Sequence, residues 1–145
     1  MFRPVAIALG AFILVGCSTS ASVENPFKGD DTQKTQLAAF AAQSQYPCKQ
    51  ASDDLRATVL IDRKEGTIKI INSTSQAITD SKVWVNGGFV TPVDTIPARG
   101  LVTIKRENLY NREGGPLEKA NAGITKVQIE AGDRFYNLDG PVFEQ

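Results

Sequence analysis

The sequence predicts a mainly β protein, a sandwich of short strands preceded by one short N-terminal helix. Three observations point there. From Leu55 onward, apolar residues alternate with polar ones at a period of two. Gly, Pro and Asn punctuate these runs at near-even spacing. The one stretch with helical grammar lies upstream of them all. With 145 residues, 41% hydrophobic and 22% charged, the chain suits a single domain.

The helix is expected over residues 31–46. Asp31 or Thr32 can cap it, the interior is rich in Ala and Gln, and it must stop before Pro47. Leu37, Phe40 and Ala41 fall at i, i+3 and i+4, a narrow apolar stripe. That stripe points to packing against the following domain, with a detached helical stalk as the alternative. The sandwich then occupies residues 54–145. "LRATVLID" alternates Leu55, Ala57, Val59 and Ile61 against Arg56, Thr58, Leu60 and Asp62, and "RKEG" returns the chain into "TIKIINS" as a hairpin. "SKVWVNG" is a third strand ending at Asn86-Gly87-Gly88, and "FVTPVDTI" a fourth that Pro92 confines to a sheet edge. "LVTIKREN" is a fifth. After an irregular stretch around "NREGGP", "ITKVQIEAGDRFYNLDG" reads as a closing hairpin about Ala131-Gly132-Asp133.

Composition removes much chemistry. Sixteen basic residues balance sixteen acidic ones, which gives no bulk charge to hold nucleic acid. The chain has no histidine, hence no Ser-His or Cys-His nucleophile and none of the commonest metal ligand. Its two cysteines form no C-x-x-C pair. Neither a catalytic centre nor a metal or other cofactor is expected. The carboxylate pairs Asp30-Asp31 and Asp53-Asp54 are adjacent residues, whereas glycoside hydrolysis needs carboxyls facing each other across a cleft. A weak calcium site in a sandwich loop stays open as an alternative use of the carboxylates, although none matches a calcium-loop motif.

The N-terminus carries the clearest signal. After Arg3, an apolar run extends from Val5 to Val15, eleven residues, far short of the roughly 20 that a membrane-spanning helix needs. A cationic start, a short apolar core and a small residue before the break describe an export signal. Leu14-Val15-Gly16-Cys17 resembles the lipobox of bacterial lipoproteins. The resemblance implies that residues 1–16 are a signal peptide and that the Cys17 thiol carries a diacylglycerol, with acylation such as palmitate on the new amino terminus. Two or three acyl chains anchor a protein stably where one holds it only marginally. Residues 17–30 then form the lipidated Cys and a tether rich in Ser, Asn, Pro and Gly. With Ser18 rather than Asp following Cys17, the family's sorting rule favours the outer membrane in a two-membrane cell.

The turn "NSTS", the Trp-bearing strand and "IPARG" also resemble fibronectin type III and Ig-like modules of bacterial envelope proteins. In those modules Ile-Pro-x-x-Gly precedes a strand that crosses to the other sheet. A likeness of this kind implies a fold and leaves function open.

Several residues are candidates for contact with a ligand or partner. If Val83 and Val85 point inward, Trp84 faces out and, with Asn86 and Phe89, offers an aromatic platform to a glycan, peptide or protein. The alternative makes Trp84 the core aromatic and puts the valines on the outer face. Tyr110 and Arg112 lie in the longest irregular stretch, where binding often resides. With Cys17 acylated, Cys48 is left without an intramolecular partner, so it is either an inert thiol or the site of an intermolecular disulfide. Lys49 adds a neighbouring cation, but nothing nearby supplies a base. Asn72-Ser73-Thr74 matches a glycosylation sequon, but Asn72 is more simply a turn residue. The expected role is that of a non-enzymatic envelope lipoprotein, anchored to the membrane through Cys17 and presenting its sandwich to another envelope protein. The alternative is a periplasmic or surface lipoprotein that binds a small ligand or glycan.

Overall fold

The computed structural model describes residues 29–120 and 123–144. Helix α1 (Gly29–Gln43) precedes eight strands: β1 (Ala57–Asp62), β2 (Thr67–Asn72), β3 (Ile78–Val85), β4 (Phe89–Ile96), β5 (Leu101–Lys105), β6 (Val127–Ala131), β7 (Arg134–Asn137) and β8 (Asp139–Glu144). They form two four-stranded sheets, ordered β5-β2-β1-β8 and β4-β3-β6-β7. All pairings are antiparallel except that of β8 with β1. This is a β-sandwich.

The inner faces follow from the period-two pattern. Ala57, Val59 and Ile61 of β1 and Ile68 and Ile70 of β2 are buried against Val83, Val85, Val93 and Ile129 of the opposite sheet. The β3–β4 turn places Asn86 at φ 54 and Gly87 at φ 71, the two left-handed residues that a tight primed hairpin turn requires. At "IPARG", Gly100 lies so close to Pro97 that an added Cβ would sit 2.8 Å from the proline ring, so only glycine lets the chain cross to β5. Asn72, fully buried, organises the preceding turn. Its amide donates to the carbonyls of Gln76 (2.8 Å) and Pro97 (3.2 Å), and its carbonyl accepts from the Thr74 amide and hydroxyl. The turn reading of Asn72 therefore holds.

Three elements differ from expectation. Helix α1 ends at Gln43 rather than near residue 46, because the Ser44 hydroxyl donates back to the Phe40 carbonyl and the chain leaves the helix there. It packs along β4 instead of standing off as a stalk. The segment after β5 is ordered by its own hydrogen bonds rather than irregular. A 3-10 turn at Arg106–Asn108 leads into a small hairpin, with Leu117 N–H donating to the Leu109 carbonyl and both leucines fully buried. Finally, β8 adds a parallel strand that the closing-hairpin reading did not contain. Among the described residues, no helix is long and apolar enough to cross a membrane.

Candidate functional site

The aromatic residues chosen from the sequence do not form a platform. Trp84 and Phe89 sit on opposite faces of their sheet. Phe89 is half-buried against the inter-sheet core, whereas Trp84 belongs to a second apolar cluster on the outer face, with Ala41, Val90, Tyr110 and Phe135. Val83 and Val85 do point inward, which turns Trp84 outward, yet its surface is only 2% exposed. Neither sequence reading allowed for this, because each assumed that an outer face is a wet face. Helix α1 and the segment after it form a third layer over that face.

The lid is held by identifiable contacts. Tyr46 meets Trp84 and Phe135 edge-on, with ring centroids 5.3 and 5.5 Å apart and both interplanar angles 88°. The Tyr46 hydroxyl donates to the buried Gln128 side chain, whose amide donates to Asn137 (2.7 Å), and Asn137 in turn donates to Asp53 (2.9 Å). The Trp84 indole N–H donates to Glu130 at 3.0 Å. Lys82 and Lys126 place their ammonium groups over the rings of Phe40 and Tyr46 at 5.9 and 5.6 Å. Ser52 finishes the cover by exchanging backbone hydrogen bonds with Phe135 and Asn137 along the edge of β7.

The other candidates are also structurally engaged. The Asn86 amide donates to the Gly123 carbonyl at 2.7 Å, and its oxygen accepts from Thr125 and Lys126, which pins the approach to β6 onto the β3–β4 turn. Tyr110 is buried beside Trp84, and its backbone pairs with Val90 at the edge of β4. Arg112 is exposed on the small hairpin, so it shares no surface with the buried Tyr110. Cys48 is an exposed free thiol on the segment after α1. The expected leader 1–16, the candidate lipidation site Cys17 and the expected tether as far as residue 28 lie outside the described residues.

What remains accessible is the opposite sheet. Its outer face carries Thr58, Leu60 and Asp62 of β1, Thr67, Lys69 and Ile71 of β2, and Leu101, Thr103 and Lys105 of β5, all partly or fully exposed. Leu101, at 53%, is the exposed large apolar residue among those described. Sequence reasoning placed this strand but named none of its residues as a contact, although the alternation of "LVTIK" put Leu101 on the outer face. At one end of the sandwich, Leu55, Ile78, Asp80, Ala131, Arg134 and Tyr136 line an open groove of about 570 Å³. The Arg134 guanidinium there donates to the Tyr136 hydroxyl at 3.3 Å, and this bond holds its pKa above the ordinary arginine value. Compared with family models, characterised proteins and solved structures, the chain matches none.

Proposed function

We propose that this chain is a non-enzymatic lipoprotein of the bacterial cell envelope, anchored through acyl chains on Cys17 and presenting its β-sandwich to another envelope component. In a cell with two membranes it sits at the outer one. The observation that carries this reading is the Leu14-Val15-Gly16-Cys17 lipobox ahead of a β-domain that keeps its aromatic cluster for itself. Anchoring makes weak contacts effective by raising local concentration. Cys48, exposed and free of an intramolecular bridge, is the position for an intermolecular disulfide with a partner.

The test is acyl labelling with membrane fractionation. Wild-type protein is expected to incorporate fatty acid and sediment with membranes. Cys17→Ser should lose both properties. Sedimentation of the unlabelled Cys17→Ser protein with membranes would contradict the reading.

A small-ligand or glycan binder is the second reading, and the groove at Leu55, Arg134 and Tyr136 favours it, with Asp80 held on its wall at a strained φ of 48. Oligosaccharide binding that disappears in Tyr136→Ala would support this second role.

A further inference from the structure

Every sandwich sheet has two edges, and an unpaired edge is a template for another strand. Here the edges differ. The outer groups of β4 are blocked at Val90, which exchanges both backbone hydrogen bonds with Tyr110 (3.0 and 3.4 Å). Two residues on, at the next outward-facing position, Pro92 has no N–H to offer. Ser52 covers β7. The edge strand β8 is interrupted by a register shift against β1 and contains Pro141.

The remaining edge belongs to β5. Its pairing with β2 is unbroken over five residues, and the flanking hydrogen bonds run from Asn72 to Gly100 and from Arg106 to Gly66. The alternation of an antiparallel ladder then turns the backbone groups of Val102 and Ile104 toward β2 and those of Leu101, Thr103 and Lys105 outward. Among the described residues, no strand takes these outward groups.

We infer that β5 pairs with β5 of a second copy, antiparallel about a two-fold axis at Thr103. This register is self-complementary. It sets Thr103 against Thr103 and lays the stem of Lys105 along the partner's exposed Leu101. Beyond the strand, the exposed Arg99 lies in the turn before β5 and Glu107 in the 3-10 turn after it, so the two-fold pairing brings opposite charges together at both of its ends. Glu107 is available for this contact, because its pair with Lys105 is long (3.8 Å) and both side chains are well exposed. Two five-residue strands bury far less than the roughly 1,200 Å² of a stable interface, so the pairing is weak in dilute solution. It therefore rests on the anchoring reading, in which copies confined to one leaflet meet at high effective concentration.

The experiment uses full-length protein in membranes, in a Cys48→Ser background, with acyl labelling and oxidative crosslinking read on the same samples. Directly paired strand residues lie about 5.5 Å apart at Cα, inside the disulfide range. Thr103→Cys should therefore crosslink into dimers. Lys69→Cys, beside Thr103 but one strand further in, would place its thiols about 14 Å apart and should not. In the Thr103→Cys protein, Arg99→Glu or Glu107→Arg alone should lower the crosslinked fraction about fivefold, and the two together should restore it. Thr103→Cys crosslinking no better than Lys69→Cys, in protein that is acylated and membrane-bound, overturns the inference and leaves the anchoring reading intact. Strong crosslinking with charge-swap rescue in protein that takes up no acyl label overturns the anchoring reading and supports the β5 pairing.

Discussion

The two sheets of this sandwich have outer faces of similar sequence pattern and opposite fate. On the β4-β3-β6-β7 sheet, the outward Trp84, Gln128 and Phe135 are buried beneath α1 and Tyr46. On the β5-β2-β1-β8 sheet, the outward Leu60, Ile71 and Leu101 meet solvent. The period of two settles which residues share a face. Whether that face is wet depends on what the rest of the chain lays across it. The first sheet has spent its aromatic surface on internal packing, which leaves the second sheet and its β5 edge for contact with other molecules.

The difference can be broken from the covered side with the largest effect. Trp84→Ala removes the centre of the outer cluster and should destabilise the protein by about 3–5 kcal/mol, read from the denaturant midpoint. Tyr46→Phe keeps the ring contacts but leaves the buried Gln128 carbonyl without its hydroxyl donor, at a cost of about 1–3 kcal/mol. Lys82→Ala removes only the cation over Phe40, and about 0.5 kcal/mol is expected in the same measurement. On the bare side, Leu101→Ser should change stability by no more than about 0.5 kcal/mol, because more than half of the residue is already exposed to solvent. A large loss there would mean that this face, too, is covered.

Much of the fold was legible in the chain. Alternation fixed the inward set Ala57, Val59 and Ile61, Asn86-Gly87 marked the tight turn, and Pro92 marked an edge. These signals are local, and local steric rules decide them. The helix was legible as a helix, but its docking was not. Its apolar stripe at Leu37, Phe40 and Ala41 is narrow, and the main clamp, Tyr46, lies beyond the helix in a segment without periodicity. The candidate site suffered for the same reason. Of the two readings of Trp84, one had its outward direction and the other its burial, and neither had both, because the bond from Tyr46 to Gln128 spans 82 positions and no local pattern records it. The parallel β8 was missed because its partner β1 lies at the far end of the domain.

Trp84 is the chain's one tryptophan, so its emission reports the covered face without interference. The most direct test is quenching of that emission by iodide in the full-length protein, with and without oligosaccharide. A docked third layer predicts a blue-shifted band that iodide barely quenches and that oligosaccharide leaves unchanged. A red-shifted band, readily quenched and protected by added sugar, would contradict it, because Trp84 would then be the open platform that the helix is said to close.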